Sequence, residues 1–151
     1  MPFILASRYK WGAQLLQVLG IDHVVLRVAD RERALGFYCG VLGLSVEREQ
    51  PELGLTQLRA GRSLIDLVTT DGVLGRRDSG SAAKIGAGVD HIALEVGPLD
   101  ESAVQAHLGH HGVDVVEAGL RYGARGEGLS LYVRDPDGNK IELKGPPTIS
   151  S

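Results

Sequence analysis

The sequence predicts an α+β protein made of two βαβββ modules, and three observations predict it. The stretch "GIDHVVLRV", residues 20–28, has a near-twin in "GVDHIALEV", residues 88–96. Each twin leads into a helical pattern opened by an aspartate and closed by a glycine. Each helix is then followed by three strand-like segments, so the whole unit is written twice.

Residues 1–19 form an extension ahead of the first module. Its apolar opening, "MPFIL", is far shorter than the ~20 residues of a membrane span. Arg8 and Lys10 follow that run, whereas a secretory signal places its positive charge before it. Trp11, Leu15, Val18 and Leu19 are expected to line one side of a short helix.

The first module covers residues 20–70. In "IDHVVLRV", Val24, Leu26 and Val28 point one way and His23, Val25 and Arg27 the other. Asp30 caps the helix; Ala34, Phe37, Tyr38, Val41 and Leu42 recur with helical period as one apolar stripe. Gly43 supplies the left-handed stop. Cys39, the only cysteine, falls in this helix, where a packed thiol is expected rather than a nucleophile. "LSVEREQ", "LTQLRAG" and "SLIDLVTT" supply the three strands. Residues 71–87 are rich in Gly, Ser and charge and read as a connecting loop.

The second module covers residues 88–145. Ile92, Leu94 and Val96 take the helix side of its first strand, and His91, Ala93 and Glu95 the other. Asp100 caps a helix that buries Val104, His107 and Leu108 and stops at Gly112. "VDVVEAG", "LSLYVRD" and "NKIELK" are the strands. "RYGARGEG", residues 121–128, reads as a long hairpin loop, with a mobile lid as the alternative. "RDPDGNK" is a hairpin turn, set by Pro136 and Gly138. Residues 146–151 form a tail.

Composition narrows the function. With 43% hydrophobic and 23% charged residues and a net charge of −3, the chain suits a globular fold without a basic stripe for nucleic acid. A single cysteine offers no internal disulfide. The expected setting is the cytoplasm, with neither membrane nor nucleic acid as partner. The partners expected are a small molecule and a second copy of the chain in a homodimer.

The chemistry lies in the repeat. Alternation along "SLIDLV" puts Asp66 opposite the helix side, and along "NKIELK" it does the same for Glu142. Each module thus offers one histidine from its first strand and one carboxylate from its last. His23, Asp66, His91 and Glu142 make a set of two nitrogens and two carboxylates suited to one divalent metal ion. Arg27, Tyr132 and Arg134 face the same way and are candidates for holding substrate. His107, His110 and His111 are read as favourable charges at a helix end, not as ligands.

The stretches "IDHVVLRVADRERALGFYCGVLGL", "VDHIALEV" and "LYVRDPDGNKIEL" resemble the vicinal oxygen chelate superfamily, whose members include glyoxalase I, bleomycin-resistance proteins and extradiol dioxygenases. The resemblance implies paired modules whose curled mixed sheets form a metal-binding cavity, within one chain or across a dimer. It implies metal ligation by His23, His91 and Glu142, with Asp66 standing where glyoxalase I carries a glutamate. It also implies a Zn, Ni, Mn or Fe ion as cofactor, with Glu142, then Asp66, as the base that moves a proton. The activity implied is that of a metal-dependent lyase or isomerase of the lactoylglutathione-lyase type. The alternatives are an extradiol dioxygenase, a fosfomycin-type thiol transferase using Arg27, Arg121, Arg125 or Arg134, and a non-catalytic binding protein.

Overall fold

The computed structural model of the chain describes residues 16–77 and 88–148. β1 (His23–Val28) leads into α1 (Arg31–Leu35), which widens into a π-helical turn over Gly36–Val41. β2 (Ser45–Gln50), β3 (Leu55–Ala60) and β4 (Ser63–Thr69) follow, and then α2 (Val73–Arg77). The second module repeats the order with β5 (His91–Glu95), α3 (Glu101–His110), β6 (Glu117–Gly123), β7 (Gly126–Arg134) and β8 (Lys140–Pro147). Two four-stranded sheets result, ordered β1-β4-β3-β2 and β5-β8-β7-β6. In each, the first strand runs parallel to the last, and the remaining pairs are antiparallel. The architecture is the expected α+β fold with mixed sheets.

The local signals act as read. The Asp30 and Asp100 carboxylates accept backbone N–H bonds from Arg33 and Ala103 at 2.9 and 3.0 Å, satisfying donors the first helical turn leaves open. Gly43 and Gly112 end the helices at φ of 80° and 71°. Burial alternates along β1, with His23, Val25 and Arg27 exposed and Val28 fully buried. The bond from Leu42 N–H to the Phe37 carbonyl, 3.0 Å, spans one residue more than an α-helix allows. Phe37 and Tyr38 are buried at the start of this wider turn. Cys39 is half-buried beside them, and burial pushes its thiol pKa up, away from the reactive thiolate.

One core serves both modules. Val28, Tyr38, Leu58 and Leu67 from the first join Leu108, Leu131, Val133 and Ile141 from the second. Each such side chain contributes about 1.5–3 kcal/mol on leaving water. A polar knot reinforces the joint. Tyr38 donates its hydroxyl to Asp135 Oδ2 at 2.6 Å, and Ala29 N–H donates to Asp137 Oδ1 at 2.8 Å. Asp135 Oδ1 also accepts from the backbone N–H groups of Asp137 and Asn139. The turn "RDPDGNK" is therefore both a hairpin and the point where the modules lock.

Four details differ from the sequence reading. β6 begins at Glu117, four residues later than "VDVVEAG" suggests, because Val113 packs as a loop residue against the core. Residues 121–128 are not a long loop. Gly123 pairs with Gly126, so only Ala124 and Arg125 turn the chain, and Gly126 at φ 116° adopts a conformation other residues resist. The loop after residue 70 contains α2, where Gly75 lies so close to the Thr69 carbonyl that a Cβ would stand 2.0 Å from it. His107 is exposed rather than inward, and its Nε2 lies 2.8 Å from the Val41 carbonyl as a clasp between modules. The expected N-terminal helix around Trp11 and Leu15, and most of the linker, lie outside the described residues. Val18 and Leu19 are described and are exposed.

Candidate functional site

Strand register assembles one half-site on each sheet. In the first, Val25 is paired with Asp66, and Asp66 with Gln57, so His23, Val25, Arg27, Asp66 and Gln57 share a face. Asp66 is only 5% exposed. Its Oδ2 accepts from Gln57 Nε2 at 3.0 Å, while its Oδ1 is buried with no hydrogen-bond partner. A buried carboxylate oxygen left without a donor is costly, and an arriving cation would satisfy it. His23 Nδ1 lies 2.6 Å from Asp22 Oδ1. That bond, and then the charge of Asp66, raise the pKa of His23 above the ordinary imidazole value.

In the second half-site, Ala93 is paired with Glu142, and Glu142 with Tyr132. His91 Nε2 lies 2.9 Å from Glu142 Oε2, and its Nδ1 2.7 Å from Asp90 Oδ2. Ser130 donates its hydroxyl to the other Glu142 oxygen at 2.5 Å. The His91 ring meets Tyr132 edge-to-face at 5.5 Å, and Lys140 reaches Asp90 at 3.0 Å. The bond to Asp90 leads the causes that raise His91, and Glu142 adds to it. Burial alone would raise Glu142; Ser130, His91 and Tyr132 outweigh it and hold that carboxyl below its usual range.

The two half-sites share one device. In each, the aspartate preceding the histidine engages Nδ1. Nε2 is left as the ring atom offered to the sheet face, the arrangement that orients imidazole ligands at metal centres. A nitrogen and a carboxylate at each half-site have the donor chemistry a divalent ion takes. Within one chain, however, the pairs stay separate. Among the described residues no three His, Cys, Asp or Glu side chains gather closely enough to hold a metal ion. The sequence leaves two arrangements open, within one chain or across a dimer, and the described residues of one chain do not bring the four donors together. The modules join through the shared core and the Asp135 turn, and β1 and β5 are each the edge strand of their sheet.

The substrate candidates divide. Tyr132 stands beside Glu142, and Arg27 is exposed on the face that carries His23. Arg134 donates instead to the Gly138 carbonyl at 2.9 Å. It lines a cleft of about 610 Å³ with Arg33, Phe37 and Asp114, and none of the four ligand candidates borders that cleft. His111 meets the rings of His107 and His110 edge-on. Asp22, Asp90, Gln57 and Ser130 escaped the sequence reading. The repeated Asp-His dipeptide signals the first two. Ser130, two residues before Tyr132 on an alternating strand, was open to the same logic that found Asp66.

Known proteins agree with this architecture. Residues 20–143 match the Glyoxalase/Bleomycin resistance protein/Dioxygenase superfamily. A glyoxalase domain-containing protein of Mycosarcoma maydis is 36% identical over 129 residues, covering 85% of this chain and 69% of that protein. A lactoylglutathione lyase of Salmonella typhimurium is 33% identical over 130 residues, covering 80% of this chain and 88% of that one. Among solved structures, a protein from the mobile metagenome of V. Pseudocholerae superposes with a TM-score of 0.68 at 30% identity, covering 89% of this chain and all (100%) of that one. The chain belongs to the Glyoxalase/Bleomycin resistance protein/Dioxygenase superfamily.

Proposed function

We propose that the chain is a divalent-metal-dependent lyase or isomerase of the lactoylglutathione-lyase type, acting on a small oxygenated substrate. The observation that carries this reading is the His91–Glu142 pair at 2.9 Å on an open sheet face, matched on the other sheet by His23 and a buried, half-satisfied Asp66. The similarity to lactoylglutathione lyases supports it. Because one chain holds the four donors as two pairs, the working unit is a homodimer in which His23 and Asp66 of one chain meet His91 and Glu142 of its partner. β1 and β5 suit that union. They are unpaired edges flanked by exposed Ile21, Val25 and Val89, surface that a second chain would cover. No helix among the described residues is long and apolar enough to cross a membrane, and the proposed setting is the cytoplasm.

When bound, the ion would act as a Lewis acid toward the substrate's adjacent oxygens. The chain's own residues orient and move the proton. Ser130 pins Glu142 Oε1, so Oε2, which faces His91 Nε2 at 2.9 Å, is the oxygen that would take a proton from carbon and return it. Asp90 and Asp22 hold the imidazoles in place, and Tyr132 walls the Glu142 side against water. The metal content of the protein as purified, measured by mass spectrometry, tests the reading together with turnover of the methylglyoxal–glutathione hemithioacetal under added Ni²⁺, Zn²⁺, Mn²⁺ or Fe²⁺. Absence of turnover with all four removes the lyase assignment.

A non-catalytic binding protein is the second reading. The separation of the half-sites within one chain favours it. It requires metal-free protein and ligand affinity unchanged in His91→Ala.

A further inference from the structure

The open face of the second sheet continues past Glu142 to Lys144, two residues along β8 and therefore about 7 Å away on the same side. Lys144 is half-buried, yet among the described residues its side chain makes no hydrogen bond or ion pair. Its side chain lies in a trough made by two missing side chains. A Cβ on Gly123 would stand 2.9 Å from Lys144 Cε, and one on Gly128 3.1 Å from its Nζ. The trough opens into a cavity of about 130 Å³ lined by Ala93, Glu95, Ala124, Arg125, Gly145 and Pro146, besides Lys144 and Gly123.

The charges at this cavity do not balance. Glu95 lies beside Lys144 in the ladder, but its carboxylate is engaged by Arg125. That ion pair runs from β5 to the Ala124–Arg125 turn and straps the turn to the far edge of the sheet. Two other cations of the face, Arg121 and Lys140, are matched by Glu117 and Asp90. Lys144 is left as a positive charge in a half-buried trough without a counter-ion. An anionic group entering the trough would complete it with a charge-assisted bond.

We infer that this end of the face is an anion subsite, in which Lys144 receives a single carboxylate or phosphate group of the substrate. The volume is that of a few water molecules, so it takes one anionic group and not a tripeptide. The inference deepens the proposed function and rests on it only for the other end of the substrate, whose adjacent oxygens would sit at His91 and Glu142. The substrate class is thus a compact molecule with vicinal oxygens and an anionic end group about 7 Å away.

The test uses the full chain, ¹⁵N-labelled and freed of metal by chelation, titrated at constant ionic strength with inorganic phosphate and separately with lactate. Amide shifts of Gly123, Ala124 and Gly145 report on the subsite. Saturable shifts are expected with at least one probe. Lys144→Ala should weaken them about tenfold or more, as loss of a charge-assisted bond does, and Lys144→Arg should retain them. Gly123→Val keeps every charge but fills the trough, and should weaken binding as Lys144→Ala does. No saturable shift with either anion, or equal affinity in Lys144→Ala, overturns the inference. Metal loading, measured in parallel, separates the two claims. Wild-type protein that takes up none of the added metal ions yet binds phosphate through Lys144 loses the metalloenzyme reading and keeps the subsite.

Discussion

Asp90 engages His91 Nδ1 at 2.7 Å, and Asp22 engages His23 Nδ1 at 2.6 Å, so the two modules hold their histidines alike. A ring fixed at Nδ1 meets a metal with Nε2 already aimed, and no rotamer entropy is lost on binding. Asp90→Ala should therefore lower metal affinity by roughly 10–100-fold, read by competition with a chromophoric chelator. Imidazole ¹⁵N shifts of His91 should show the Nδ1 proton becoming less ordered, and Asp90→Glu should recover part of the affinity. Unchanged affinity and unchanged shifts would mean that Asp90 serves only its pair with Lys140.

Asp66 presents the opposite balance. Its Oδ1 is buried without a donor, which burdens the metal-free fold. Asp66→Asn removes the charge while keeping an oxygen for Gln57. The metal-free variant should gain up to about 1 kcal/mol in urea unfolding, and metal loading of the assembled protein should fall. A variant that is less stable and loads metal normally would make Asp66 a structural residue.

Much of this was legible in the sequence because period-two alternation is a local rule. It put His23, Asp66, His91 and Glu142 on the sheet faces away from the helices, and the caps at Asp30 and Asp100 needed only four residues each to be recognised. What was not legible depends on contacts distant in sequence. Nothing near Asp135 announces that its carboxylate will accept a bond from Tyr38, 97 residues away. Glycine content suggested a loop at residues 121–128, but the pairing of Gly123 with Gly126 makes a tight hairpin, since glycine permits both. Whether two half-sites face each other within one chain is decided by how two cores fuse, and no strand pattern encodes that.

The Tyr38–Asp135 bond carries a pH signature. Burial, and then Asp135, push the Tyr38 hydroxyl pKa well above its ordinary value. The folded state thus favours the protonated form. Its contribution is complete below the unfolded value of about 10 and is lost as pH rises beyond it, by at most about 1.4 kcal/mol per pH unit. Tyr38→Phe should cost about 1 kcal/mol at neutral pH, because Tyr38 is fully buried and its hydroxyl is matched at 2.6 Å. Above pH ~10 the variant's stability should fall less steeply than that of the wild type. Parallel slopes from pH 9 to 11 in urea midpoints would show that this hydroxyl ionises freely in the fold.

A site shared between chains can be tested by mixing two defective proteins. His23→Ala damages the half-site of the first sheet, and Glu142→Ala that of the second. Each homodimer alone should load little metal and turn over little substrate. Unfolded together and refolded as an equal mixture, the chains should form mixed dimers in about half of cases, in keeping with a closed twofold assembly. In a mixed dimer one shared site carries both substitutions and the other carries neither. Metal loading should then recover to about one quarter of the wild-type level, since half the dimers regain one of two sites. Sites completed within one chain would give no recovery at any mixing ratio, because each chain would keep its own defect.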